Sequence, residues 1–129
     1  MHIMTVKAKK ITANVLTAIL FLAFVAAGFM KLMRTEEAID NFKQYGLNVG
    51  VLLLIGFLEV LGALGLWLPK LRIWAAAGLS AIMTGAIVVH LYHDEASLIT
   101  APVVFFILLM ISITLRMQLN SLPKKKHKK

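Results

Sequence analysis

Residues 50–68, GVLLLIGFLEVLGALGLWL, decide the fold, because they are apolar throughout except for one acidic residue, Glu59. A helix needs roughly 20 apolar residues to cross the hydrocarbon core of a bilayer, which is about 30 Å thick. Lipid offers no hydrogen-bond partner to unpaired backbone groups, and the stretch lacks the alternation of apolar and polar residues that is typical of a strand. The stretch therefore predicts a transmembrane helix that stops at Pro69.

Three further apolar runs of similar length lie at residues 11–33, 73–92 and 98–115. Hydrophobic residues make up 60% of the 129 residues and charged residues 16%, whereas a soluble domain holds about 45–50% apolar and about 25% charged residues. A chain this short has too little interior to bury such an apolar excess. The sequence therefore predicts an all-α integral membrane protein, folded as an antiparallel four-helix bundle.

Lysine and arginine residues are distributed unevenly around the four runs. With a cytoplasmic N-terminus, eleven of the 14 lie in cytoplasmic segments, and only Lys31, Arg34 and Lys43 lie outside. Basic residues are enriched in cytoplasmic loops, so we expect both termini in the cytoplasm and a bacterial inner membrane around the bundle. We expect one transmembrane domain over residues 1–118 and a basic cytoplasmic tail over residues 119–129 that rests on anionic lipid. The net charge of +8 flanks apolar runs instead of covering a soluble face, which argues against nucleic acid as a partner.

The connection between the first two runs, residues 34–49, is long enough for an element of its own. Thr35 is followed by Glu36 and Glu37, a pattern typical of an N-cap and an acidic first turn. Apolar residues at helical spacing follow, and Gly46 comes after them. We expect a short amphipathic helix on the outer membrane surface, with a solvated loop as the alternative.

Three ionisable side chains, Lys31, Glu59 and His90, fall in the outer half of the predicted spans. A charge at the bilayer centre costs at least roughly 2.5–3.5 kcal/mol on insertion scales, so Glu59 should face the bundle. If the helices bring the three residues together, they form a polar pocket that opens to the outer side. The alternatives are structural: Glu59 hydrogen-bonds across a helix interface, Lys31 snorkels to the interface, and His90 is an interfacial histidine.

Glycines mark the expected contacts between helices, because the absence of a side chain lets two backbones approach closely. Three of them share one helical stripe with the acidic residue of the second run, and the other two lie in the first and third runs. The five glycines are Gly28, Gly56, Gly62, Gly65 and Gly85.

Several kinds of site are not expected. The chain has no cysteine, which excludes a disulfide framework and a thiol redox pair of its own. No cluster of histidine and acidic residues indicates a metal site. His90 and His93 share one run and the other two histidines lie near the termini, so a bis-histidine haem is not indicated either.

Three blocks of this sequence resemble the DoxX family, in particular its short DoxX-like four-helix branch. They are AGFMKL at residues 27–32, IGFLEVLGALGL at 55–66 and MTGAIVVH at 83–90. The resemblance implies a four-helix membrane protein and a possible redox association, because the family is named from a subunit of an archaeal thiosulfate:quinone oxidoreductase. Other relatives have different roles, one of them as an assembly chaperone, so the fold alone does not give the function.

Three hypotheses about function stay open, and none of them decides whether the protein is an enzyme. The first is a redox-associated subunit in which the outer polar residues bind a quinone or a similar lipophilic head group. The second is a non-enzymatic assembly or scaffold protein whose glycine-rich faces serve a partner's helices. The third is a small proton-coupled carrier. A membrane or redox protein, or a second copy of the chain, is the expected partner.

Overall fold

The computed structural model describes residues 4–123, which contain five α-helices and no β-strand. The helices are α1 Val6–Leu32, α2 Glu36–Gln44, α3 Val49–Gly65, α4 Arg72–Tyr92 and α5 Thr100–Asn120, and a short 3-10 helix, Ala96–Ile99, precedes α5. Helices α1 and α4 and the segment Ala96–Asn120 are each long and apolar enough to cross a membrane. The prediction of an all-helical membrane bundle is confirmed.

The second predicted span differs from the other three. Helix α3 has 17 residues, which at 1.5 Å per residue is about 26 Å, a little less than the hydrocarbon core of a bilayer. It reaches the length and apolarity of a span only if it is taken together with α2, from which it is bent by 116°. Because of this bend, α2 runs across the end of the bundle while α3 packs along α1.

Helix α2 forms where the threonine–glutamate pattern predicted a short amphipathic helix. The hydroxyl of Thr35 accepts a hydrogen bond from the backbone N–H of Ala38 at 3.2 Å, which caps the helix. Gly46 follows its end with a φ of +75°, a conformation that glycine adopts without strain. The solvated loop that was the alternative is therefore not what forms here.

The other helix ends depart from the predicted ones by a few residues. Helix α1 begins earlier than residue 11 because the Thr5 hydroxyl caps it, accepting from the N–H of Ala8 at 3.1 Å. Helix α3 ends at Gly65 because the chain turns before Pro69, and the position preceding a proline disfavours helix. Helix α5 continues to Asn120, past the predicted domain end, since no glycine or proline interrupts it. Residues 124–129 of the predicted tail lie outside the described residues.

A compact apolar core lies between α1, α3, α4 and α5. Its most buried members from each helix include Leu20 of α1, Ala63 of α3, Leu79 of α4 and Leu109 of α5, each at most 1% exposed. Many large apolar side chains on the opposite faces are exposed, as expected for helices whose outer surface meets lipid. This core fixes the positions of the helices that carry the polar residues of the site.

Two glycines bring α1 and α3 into backbone contact. A Cβ atom on Gly28 would lie 2.6 Å from the carbonyl oxygen of Gly56, and one on Gly56 would lie 2.8 Å from the carbonyl oxygen of Gly28. Gly62 and Gly65 have the same role against α4, where a Cβ would lie 2.7 Å from Leu79 Cγ and 2.8 Å from Ala75 Cβ. These four glycines lie where α1, α3 and α4 approach one another closely.

Gly85 differs from the other four glycines, because the space beside it is open. Among the described residues, no atom of a neighbouring helix lies within 4 Å of a Cβ added at Gly85, whereas a Cβ added at any of the other four glycines would have an atom within 3 Å. The reason is that this part of α4 faces an open cavity, which takes the place of a helix contact.

Candidate functional site: an outer cavity

Lys31 and Glu59 form an ion pair inside the bundle, with Nζ and Oε1 2.8 Å apart. The Glu59 side chain is 2% exposed and the Lys31 side chain 22% exposed. The backbone contact between Gly28 and Gly56 produces this pair, because it sets the last turn of α1 beside the middle of α3. Lys31 and Glu59 therefore lie at the same depth of the bundle.

The Lys31–Glu59 contact is ionic in its geometry. Glu59 Oε1 has no hydrogen-bond donor in good alignment among the described residues, although the lysine nitrogen lies within ion-pair distance. A carboxylate oxygen offers several lone-pair directions, so the contact with Lys31 does not use the full acceptor capacity of Oε1.

A second polar cluster joins α2 to α4 and to the segment that follows α4. The Tyr45 hydroxyl lies 3.4 Å from His90 Nδ1 and 3.4 Å from Glu95 Oε2. His90 Nδ1 also lies 3.8 Å from Glu95 Oε1. Edge-to-face contacts of the Tyr45 ring with His90 and His93, at centroid distances of 5.7 and 5.0 Å, hold the tyrosine in place.

These three groups form a chain along which a proton can be held or passed. A phenol donates one proton and accepts others, so Tyr45 donates to Glu95 and accepts from His90 when the His90 proton is on Nδ1. Partial burial, together with the hydrogen bond to the Glu95 carboxylate, raises the pKa of Tyr45 above its usual 10.0. The phenol therefore stays a donor at every pH that a cell experiences.

Both polar groups face one cavity of about 570 Å³. We call it the outer cavity, after the predicted orientation of the chain. Lys31, Glu59 and His90 all line it, so the structure brings together the three residues that the sequence singled out. The rest of the wall is mainly apolar and includes Met30, Ile55, Ile82, Met83 and Val89.

Helix α2 covers the outer cavity. Ala38, Asn41, Phe42 and Tyr45 contribute to its wall, although no residue of α2 is fully buried. The amphipathic face of α2 thus contacts the cavity instead of lying only on the membrane surface. Since cavities of about 300–1,000 Å³ with mostly apolar walls and a few polar groups are typical of small-molecule sites, the outer cavity has the size and lining of one.

The sequence model of the DoxX-like family matches residues 15–112, about three quarters of the chain. The chain belongs to the DoxX-like family. All three predicted site residues, helix α2 and the Tyr45–His90–Glu95 cluster lie inside the matched region of this DoxX-like protein, while the basic tail lies outside it. Searches of curated proteins and of solved structures found no match.

Sequence reasoning missed two residues of the site, Tyr45 and Glu95. Tyr45 follows at helical spacing in the apolar stripe of the amphipathic helix, and the sequence pattern predicts that this stripe lies on the membrane surface. Glu95 lies in the short connection between the third and fourth apolar runs. The contacts of the Tyr45 hydroxyl join residues that lie 45 and 50 positions apart in the chain. The local signal is that Tyr45 ends an apolar helical stripe with a hydroxyl group, and a tyrosine hydroxyl usually finds a hydrogen-bond partner when it is buried.

Proposed function

We propose that this DoxX-like protein binds a lipophilic molecule with a hydrogen-bond-accepting head group, a quinone, in the outer cavity. We further propose that it acts as a redox-associated component of a bacterial inner membrane. The observation that carries the proposal is the convergence of Lys31, Tyr45 and His90, three potential donors, on one apolar cavity of about 570 Å³. The predicted orientation puts that cavity at the outer side of the membrane.

The residues of the cavity fit a quinone head group. The two carbonyl oxygens of a quinone accept hydrogen bonds, and Lys31 Nζ on one side and His90 on the other can donate them. The apolar wall accepts the ring, and the absence of a side chain at Gly85 leaves space beside His90. A bound quinone would supply two-electron redox chemistry, which the chain's own side chains do not offer.

Each polar residue then has a definite task. Glu59 fixes Lys31 and balances its charge, so the ammonium group can donate to a ligand without bringing a net charge into the cavity. His90 holds a proton at Nδ1 or Nε2 facing the cavity, and Tyr45 and Glu95 connect it towards the exposed end of α4. Glu37 also lines the cavity and adds a negative charge, which disfavours fatty acids and other anionic ligands.

The test is mass spectrometry of small molecules that copurify with the full chain in mild detergent. Wild type, Glu59→Gln and His90→Ala are compared with Glu36→Gln, a matched change of an exposed glutamate on α2 that does not line the cavity. We expect wild type and Glu36→Gln to retain a quinone and the two cavity variants to lose most of it.

An empty cavity in folded wild-type protein, confirmed by failure to take up an added short-chain quinone, would overturn the proposal. That result would favour the scaffold hypothesis, in which Glu59 and His90 are structural contacts and the protein acts through a partner's helices. Circular dichroism of each variant establishes that it is folded before its ligand content is compared.

A further inference from the structure

Two arginines lie at the end of the bundle opposite the outer cavity. Arg116 of α5 donates from Nη2 to Asn14 Oδ1 at 2.9 Å and to Thr17 Oγ1 at 3.0 Å, which ties α5 to α1. Thr17 is buried, and its own hydroxyl donates to the carbonyl oxygen of Ala13 at 2.8 Å. The guanidinium group is thus oriented by neutral partners that leave its charge uncompensated.

Arg72, the first residue of α4, lies nearby. Its Nε donates to the carbonyl oxygen of Leu66 at 2.9 Å, beyond the end of α3. The neighbouring Trp67 packs edge-on against Phe21, with ring centroids 6.3 Å apart. Phe21 is one turn of α1 from Thr17, the partner of Arg116, so the two guanidinium groups occupy adjacent levels of the bundle.

No carboxylate balances these two charges. All six acidic residues of the chain lie between positions 36 and 95, on α2, within α3 or next to the end of α4. Among residues 4–123, neither Arg72 nor Arg116 makes an ion pair. Partly buried charges without a counter-ion are costly, so an anion bound from outside the chain would stabilise this end of the protein.

An apolar groove begins beside Arg72. It lies between α3 and α4, has a volume of about 460 Å³, and is lined among others by Leu71, Trp74, Gly78 and Leu61. Leu71 precedes Arg72 directly, and Trp74 is 77% exposed. Gly78 meets no neighbouring atom within 4 Å of an added Cβ, so the groove is open at its middle. Its width and its apolar wall suit a hydrocarbon chain.

We propose that Arg72 and Arg116 bind the phosphate of an anionic phospholipid, one of whose acyl chains lies in the Leu71–Gly78 groove. Guanidinium groups bind phosphate oxygens in a bidentate manner with charge-assisted hydrogen bonds. Basic pockets between membrane helices on the cytoplasmic side bind anionic head groups. A free phosphate would use the arginines and leave the apolar groove unfilled, so the groove favours a lipid as the source of the phosphate.

The experiment is native mass spectrometry of the full chain with phosphatidylglycerol, phosphatidylcholine or inorganic phosphate added in mild detergent. We expect wild type to retain phosphatidylglycerol preferentially, and Arg72→Gln/Arg116→Gln to lose about thirtyfold in retention, since each basic residue near anionic lipid contributes about fivefold. Gly78→Leu, which fills the groove without touching a charge, should also lower retention. Lys43→Gln, exposed on α2 at the other end of the bundle, and Ala77→Leu, exposed and outside the groove, are the matched controls and should bind as wild type does.

Three results would overturn the proposal. The first is equal retention of the two lipids by wild type, which needs no variant and stands even if the arginine variant fails to fold. The second is unchanged phosphatidylglycerol retention by a folded Gly78→Leu protein. The third is displacement of the lipid by millimolar inorganic phosphate, which would show that a free anion is the ligand. Arg116→Lys keeps the charge and should retain the lipid at an intermediate level.

Discussion

Removing Lys31 tests how the buried carboxylate is held. In Lys31→Met, Glu59 keeps its 2% exposure but loses the ammonium group 2.8 Å away. Breaking a buried ion pair by removing one partner costs roughly 3–5 kcal/mol in the free energy of unfolding. We expect about 3 kcal/mol, the lower end of that range, because Lys31 is 22% exposed and a lone glutamate can take up a proton.

The reverse change and the double change complete the cycle. Glu59→Gln leaves a lysine that can turn towards water, so it should cost only about 1–2 kcal/mol, the usual size for loss of a partly buried polar contact. Lys31→Met/Glu59→Gln has no unpaired charge and should cost about as much as Glu59→Gln alone. The double variant is therefore more stable than Lys31→Met, and the coupling energy equals the cost of Lys31→Met, about 3 kcal/mol.

Unfolding is followed by circular dichroism as sodium dodecyl sulfate is added to the protein in mixed micelles. Lys43→Met and Glu36→Gln, exposed on α2, are the controls and should change the free energy of unfolding by less than about 0.5 kcal/mol. If the single changes at positions 31 and 59 add within about 0.5 kcal/mol in the double variant, the two groups are energetically independent and our reading of the pair is refuted.

Three further predictions follow from contacts described above. Gly56→Ala puts a methyl group 2.8 Å from the Gly28 carbonyl oxygen and should lower the free energy of unfolding by roughly 1–3 kcal/mol. Gly85→Ala, whose methyl group would face open space, should leave the stability unchanged. Equal thermal melting temperatures for the two variants would contradict the close crossing of α1 and α3. In a variant whose other tyrosine is phenylalanine, absorbance at alkaline pH should show Tyr45 titrating above pH 10.0, and Glu95→Gln should lower the midpoint. Because folding raises the pKa of Tyr45, its protonated phenol stabilises the folded protein below the ordinary tyrosine pKa, and this stabilisation is lost as the pH rises through the folded value. An unshifted midpoint would show that the Tyr45–Glu95 contact is absent. A peptide of the basic tail should bind anionic liposomes less tightly as salt is raised, and salt-insensitive binding would exclude its electrostatic attachment.

The fold was accessible from the sequence because lipid leaves the backbone few choices. An apolar run of about 20 residues has to be a helix in a bilayer, so the spans could be located to within a few residues. The threonine–glutamate pattern at residues 35–37 located α2, since capping is a local interaction between neighbours in the chain. The 116° bend between α2 and α3 was not predictable, because it depends on how the two helices pack.

The site was only half accessible. Glu59 stood out because a charge in an apolar run is costly, and that cost implies a partner. Which partner it has depends on the register between α1 and α3, and the Gly28–Gly56 contact sets that register. The five glycines looked alike in the sequence, yet Gly85 borders the cavity. A missing side chain permits a close helix contact or an open space equally, and only the neighbouring helix decides between them.

The two polar groups of the outer cavity differ in how firmly they are held. Lys31 and Glu59 are carried by helices whose backbones touch, so their geometry is fixed by the bundle itself. The Tyr45 contacts are 3.4 Å long and join the bundle to α2, which buries no residue fully. Segments with little burial and few strong hydrogen bonds are those that open at low cost. A ligand that entered the cavity would therefore displace α2 before it disturbed the ion pair, and the fixed end of the site would orient its head group while the covering helix adjusted to its size.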